Sequence, residues 1–599
     1  MNPLIELKTT TPLILLALVC FGLLPKTQAV IPPPDGGYPG SNTAEGENAL
    51  FSLTSGINNT AVGAGALHDN TTGGYNVGIG SRALASNISG SFNMAVGTEA
   101  LRDNTANFNL AIGYRVLFMN TTGRHLTGIG ATALLNNTTA SFNTAIGAAA
   151  LQDNNTGENN TAIGADALSS NIEGDFNTAN GSSALFSNTT GVANTATGAS
   201  SLFSNTEGNF NTATGFFALF DNTGGVGNTA TGASALQHNT TGGLNTAIGG
   251  NALMSNDTGF ENTAIGVNAL SSNTSGASNT ATGVDALASN SVGAENTATG
   301  HQALSSNIGG DLNTAIGSNA LFLNNGGDSN TAIGADALSA NASGNQNTAI
   351  GRLALASNTD SQSNTAIGES ALGNTTGPFN TAIGDDALIN NTSGSHNIAL
   401  GDSAGVGVTT ADNVICIGET GQDLANSCYI GHIFGATAAA GSTVFINAFG
   451  KLGTATSSRR FKEEIKPMER ASEAVFALKP VSFHYTKEID PQGIPQFGLV
   501  AEDVEKVSPD LIVRDKEGKP YSVRYDQVNA MLLNEFVKEH RKVEEQSCEI
   551  VKQRATITEL KKGMATVVAL LKEQGAQIQK VSAQLELSKS TSQTVLNDR

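Results

Sequence analysis

A phrase that recurs every 17 residues dominates this chain and decides what it can fold into. One register is marked by Asn160-Thr161-Ala162-Ile163-Gly164. The Asn column starts at Asn42, Asn59, Asn76, Asn93 and Asn109, resumes at Asn143, and ends at Asn380, Asn397 and Asn413. Leu126 replaces Asn once, and on this reading three of the steps are 16 residues. Seventeen residues are too few for a strand, a true helix and their connections. They suit one coil of a solenoid: short strands joined by tight turns, with room for a helical turn around Ala167-Leu168. Ala162 and Gly164 put small side chains on one face, where sheet layers can approach closely, while Ile163 and Leu168 supply larger apolar groups. Recurrent Asn and Gly fit turns that need left-handed backbone angles. Stacking would line the Asn and Thr columns into hydrogen-bonded ladders. The expected fold is mainly β, a long parallel β-solenoid or β-roll over 42–431.

Composition agrees with a thin, repeated architecture. Among 599 residues there are 69 Gly and no Trp, and aromatics are 5%. Such a chain cannot build one thick core. A formal charge of -20 argues against nucleic acid as a partner, since phosphate neutralisation needs dense Lys and Arg. The repeats resemble the Asn-x-Ala-x-Gly repeats of trimeric autotransporter adhesin heads, which are left-handed parallel β-rolls. Nothing in them reads as catalytic. The Asn-x-Thr sequons are by-products of the repeat. Thr195-Ala196-Thr197, Thr212-Ala213-Thr214 and Thr229-Ala230-Thr231 form a locally double rank. Such a rank either orders water or stabilises a strand ladder.

The first residues read as an export signal over 1–29. Lys8 carries positive charge, Leu13 to Leu24 is a short apolar run, and Thr27-Gln28-Ala29 offers a cleavage site. Cys20 raises lipidation, but Val19 before it is bulky for that processing, so cleavage after Ala29 is expected, with a linker over 30–41. The run is too short for a comfortable span, and no later stretch could cross a bilayer. The mature chain is expected to be secreted or on the cell surface. Of its cysteines, Cys416 and Cys428 could form a disulfide in an oxidising compartment or stay free thiols. Cys548 is unpaired within the chain or meets its copies in an oligomer.

Between Lys26 and Lys451 there is no Lys at all, and beyond Lys451 charged residues are dense. This marks a domain boundary, with 432–456 as a connector of short strands. Ser457 and Lys462 then stand five apart, a weak motif alone, since Lys activates a Ser only where burial or neighbouring cations such as Arg459 and Arg460 lower its pKa. Around them lie Leu452-Gly453-Thr454, Leu478-Lys479-Pro480-Val481-Ser482-Phe483, Phe497-Gly498-Leu499-Val500-Ala501-Glu502-Asp503-Val504, Pro509-Asp510-Leu511 and Tyr525 to Leu533. Taken in order, these segments resemble the endosialidase-type intramolecular chaperone, an autoprocessing peptidase at the C-termini of trimeric fibres. That resemblance implies a chaperone domain over 457–540, with Ser457 as nucleophile, Lys462 as base and Thr456–Ser457 as the scissile bond. Ser458 is a competing nucleophile, and His484, Glu463 and Glu464 are candidate assistants more easily read as solvated or packing residues. The reaction is intramolecular and requires neither metal nor cofactor.

Over 541–590, Val543, Ile550, Ile557, Met564, Leu571, Ile578 and Leu585 recur every seven residues, continuing from Phe536. With Gln546, Gln553, Leu560, Val567, Gln574 and Val581 three positions on, they form the seam of a coiled coil whose polar Gln fit register or oligomer specification, and the family resemblance makes it a homotrimer. The chain is thus expected to be an exported, adhesin-like trimeric fibre that cuts itself, with a host-cell, matrix or glycan ligand. The alternative is a passive or ice- or glycan-binding fibre whose trimerisation domain does not cleave.

Overall fold

The computed structural model describes residues 38–590. The export-signal reading and most of the 30–41 linker lie outside the described residues. The chain divides into two compact units between Ala436 and Thr437.

The first unit is a parallel β-solenoid. Its strands are three residues each, from β1 (Thr43–Glu45) to β24 (Cys428–Ile430), in one 24-stranded sheet. Each strand pairs with the next in register, as Thr161, Ala162 and Ile163 of β8 (Thr161–Ile163) do with Thr178, Ala179 and Asn180 of β9 (Thr178–Asn180). A strand alternates faces, so the fully buried Ala162 sends Thr161 and Ile163 outward, and Ile163 is 40% exposed. Of the two larger apolar residues singled out in the sequence, Leu168 is buried and Ile163 is not. Each regular coil fills its interior with two Ala and one Leu, such as Ala162, Ala167 and Leu168.

The rest of the interior is polar. Asn160 N–H donates to the side-chain oxygen of Asn143 at 2.8 Å, and Asn177 N–H donates to that of Asn160 at 2.9 Å. A second column runs beside it, Asn171 Nδ2 donating to Asn154 Oδ1 at 2.7 Å. Asn160 and Asn171 share the Gly174 carbonyl, at 2.8 and 2.9 Å. Buried amides are stable only when bonded in this way. The recurrent Asn is therefore the ladder rung that stacking predicted, placed in the interior and not at a left-handed turn. Left-handed angles fall instead on Asn159, Asp166 and Leu168, with φ of 60°, 59° and 52°. Positive φ at 166 and 168 also rules out the helical turn expected there. Gly164 does require glycine: its φ is +134°, and a Cβ would lie 2.4 Å from the Gly181 carbonyl oxygen of the next coil.

The Asn column also ends differently from its sequence reading. Val414, not Asn413, donates its N–H to Asn397 Oδ1 at 2.8 Å, and Asn413 takes the left-handed corner. The step from Asn397 is therefore 17 residues, leaving Asn93–Asn109 and Asn364–Asn380 as the 16-residue steps. Asp423 closes the last coil. It accepts from the Thr409 and Thr410 hydroxyls and the N–H groups of Thr409, Thr410 and Ala411. Burial raises its pKa, but those donors outweigh burial and hold it well below the usual carboxylate range.

The second unit begins with an antiparallel hairpin, β25 (Val444–Ile446) and β26 (Leu452–Thr454). Two more antiparallel pairs follow, β27 (Val481–Phe483) with β28 (Gln496–Gly498) and β29 (Ile512–Arg514) with β30 (Pro520–Val523). Helix α1 (Ala501–Val507) packs on β29 and β30, and the start of α2 (Tyr525–Ser590) joins their core of Val504, Leu511, Ile512, Val523, Val528 and Met531. Tyr525 Oη accepts the Leu499 N–H at 3.0 Å, tying the start of α2 to the loop before α1.

Candidate functional site

Ser457 and Lys462 are brought together by one turn of 3-10 helix, Arg459–Phe461. Phe461 N–H donates to the Ser458 carbonyl at 3.0 Å and Lys462 N–H to that of Arg459 at 3.1 Å. This folds the chain back so that Lys462 Nζ donates to Ser457 Oγ at 3.3 Å. The lysine's hydrogen bond runs to Ser457 and not to Ser458. Thr456, Ser457 and Lys462 are all exposed, so solvent reaches the bond between Thr456 and Ser457. The Arg460 guanidinium lies over the Phe461 ring, 4.6 Å from its centroid. Glu464 pairs with Lys466 at 3.7 Å, and neither Glu463 nor His484 hydrogen-bonds to Ser457 or Lys462.

Sequence reasoning missed a second Ser–Lys contact. Ser472 is fully buried in the 3-10 segment Glu469–Ala477 and meets α2 through Asn534, Glu535 and Lys538. Lys538 Nζ donates to the Glu469 carbonyl at 2.6 Å, to Glu535 Oε1 at 2.5 Å and to Ser472 Oγ at 3.3 Å. Lys538 and then Ser472 hold the Glu535 carboxyl below its ordinary range. With all three ammonium donors engaged, this pair is a clamp between segment and helix. No spacing rule finds it, because its partners lie more than 60 residues apart.

A cleft of about 890 Å³ opens between the β25–β26 hairpin and the β29–β30 pair, lined by Phe445, Phe449, Tyr521, Tyr525 and Asn529 among others. It includes neither Ser457 nor Lys462. Phe476, Phe497, Tyr521 and Phe536 are between 69% and 86% exposed. The heptad residues Val543, Ile550, Ile557 and Met564 along α2 are exposed as well. No helix among the described residues is long and apolar enough to cross a membrane.

Cys416 and Cys428 are free thiols in the structure. Cys416 occupies the buried Ala column and pairs in register with Tyr429, while Cys428 pairs with Ile415 on the outward column. The two side chains therefore stand on opposite faces of the sheet, and a disulfide between them is disfavoured.

A β-solenoid followed by this small unit and its long helix fits a trimeric fibrous protein. Residues 457–513 match the family model described as chaperone of endosialidase. The match starts at Ser457, takes in the 3-10 turn and α1, and ends within β29. Neither the curated proteins nor the solved structures yield a match to this chain.

Proposed function

We propose that the C-terminal unit is an intramolecular chaperone that drives trimerisation and then releases the fibre by cutting Thr456–Ser457. The observation that carries this is the 3.3 Å contact from Lys462 Nζ to Ser457 Oγ, at the first residue of the matched chaperone segment. In the reaction, neutral Lys462 takes the Ser457 hydroxyl proton as Oγ attacks the Thr456 carbonyl carbon. The C–N bond breaks as the proton passes to the departing nitrogen, leaving an ester between Thr456 and Ser457. Water then hydrolyses the ester, giving a Thr456 carboxylate and a chain that starts at Ser457. Nucleophile and carbonyl belong to adjacent residues, so proximity supplies much of the acceleration. The large apolar exposure of the unit supports a state in which copies cover one another. The fibre itself would be exported and act at the cell surface, with its ligand presented by the solenoid.

The test is expression of wild type beside Ser457→Ala and Lys462→Met, read by denaturing gel and intact mass. Wild type should yield a fragment beginning at Ser457, and both variants should stay uncut. Equal processing in wild type and Ser457→Ala would remove Ser457 as nucleophile.

A further inference from the structure

The outward face of the solenoid sheet carries a pattern that its stability does not require. The third residue of each strand points outward, and the column it forms is apolar over most of its length. It runs apolar from Val62 to Ile163, polar from Asn180 to Thr231 and apolar at Ile248 and Ile265. Thr282 and Thr299 are polar, and the column is apolar again from Ile316 to Ile430. After Glu45 of β1, the blocks are seven, four, two, two and eight coils long. The changes fall between strands paired in strict register: Ile163 with Asn180, Thr231 with Ile248, Ile265 with Thr282 and Thr299 with Ile316.

We propose that this face is where copies of the chain meet, side by side and in parallel, and that its polar interruptions set their register. The proposal rests on the trimeric reading above for the number of copies. Two physical features select a second copy as the occupant. One is size: strands about 4.8 Å apart over these coils make a stripe roughly 100 Å long. At a width of ~10 Å, which also takes in the first-residue column of the same face (Thr from Thr127 to Thr381), it offers about 1,000 Å² per chain, against the ~800 Å² per partner of a standard stable interface. The other is complementarity. Parallel copies in register set apolar against apolar and polar against polar at every coil. A slip of one coil opposes unlike residues at each of the four boundaries, and an antiparallel arrangement also opposes unlike residues, because the block order is not symmetric. A buried Thr or Asn facing Ile loses hydrogen-bond partners, so each mismatch weakens the slipped form. The face thereby excludes wrong registers as well as favouring the right one.

The test uses the full chain with its native cysteines replaced by Ala or Ser, and single cysteines at Ile146→Cys, Ile350→Cys or, as a control on an exposed turn, Glu207→Cys. Each is treated with a short bismaleimide and read by denaturing gel, and sedimentation gives the oligomer. The expected result is a trimer with efficient cross-linking at 146 and at 350 and little at 207. A trimer that fails to cross-link at 146 and 350 overturns this inference and leaves the trimeric reading standing. A monomer overturns both, and a cross-linked dimer overturns only the trimeric number. In co-expression, cross-links between a 146 chain and a 350 chain would overturn the register.

Discussion

At the scale of single residues, the two short coils show what the Asn ladder is worth. Both lose one residue from the same turn, between the two Asn columns. In the first, Asn104 keeps its place and donates to Ala106 and accepts from Asn109 and Asn120. In the second, Thr375 stands where the column has Asn, and its shorter side chain leaves Asn358 Oδ1 without a partner. Asn364 Nδ2, nearby, is also unbonded. An unsatisfied buried acceptor costs about 1–3 kcal/mol. Thr375→Asn should therefore stabilise these coils by roughly 1 kcal/mol, seen as slower amide exchange around 358–391. Unchanged exchange would mean the ladder is locally dispensable. Cys416 makes a separate residue-scale prediction. Burial first, then neighbouring Cys428 and Glu419, push its thiol up to about 11. The thiol is raised above its ordinary 9.0, so the folded state loses stability as pH climbs from about 9 towards about 11. Near neutral pH, maleimide should label Cys428 and Cys548 in the native protein and reach Cys416 only after unfolding.

At the scale of elements, the sequence revealed more of the period than of the orientation. Seventeen-residue spacing was enough to read a parallel solenoid, because no other element fits that length. It did not reveal which apolar residue faces in. Ile163 looks like core by hydrophobicity, yet alternation about the small Ala162 places it outside, and hydrophobicity alone carries no direction. Nor did it reveal Leu168 at a left-handed angle, since Leu is not a residue that favours one. The Ser457–Lys462 spacing was legible and the Ser472 clamp was not, for the same reason: only local pairs show in spacing. The long helix was legible from its heptads. α2 runs 66 residues with its apolar seam exposed. Replacing both Ile557 and Met564 by Asp puts charge into that seam in every copy. It should turn a trimer into monomer by sedimentation while the solenoid keeps its β-type circular dichroism. A variant that stays trimeric would place the assembly determinants outside α2.

At the scale of the whole molecule, the first unit is quasi-one-dimensional. Each coil bonds mainly to the coil before and after it, so stability is a sum of coil and neighbour terms. Deleting one full repeat, residues 246–262, removes Thr246 to Asn262 and rejoins identical phrases at Asn245 and Thr263. Every hydrogen bond of the rejoined strands has its partner again, as Asn245 N–H now has beneath it and Asn262 has above. The deletion should fold, with melting close to that of the full chain. Removal of only 246–253 breaks both Asn columns out of phase and should give an aggregated or protease-sensitive product. The same full-repeat deletion also separates folding from assembly. Chains that all carry it share one block pattern and should assemble as well as wild type. Mixed with wild-type chains, they match up to the deletion and are one coil out of step beyond it, placing Thr282 against Ile265 and Ile316 against Thr299. Mixed oligomers should therefore form less often than chance when two differently tagged chains are co-expressed and captured by one tag. Statistical mixing would show that a nucleus at the C-terminal unit sets the partners alone, and that the sheet face has no part in their choice.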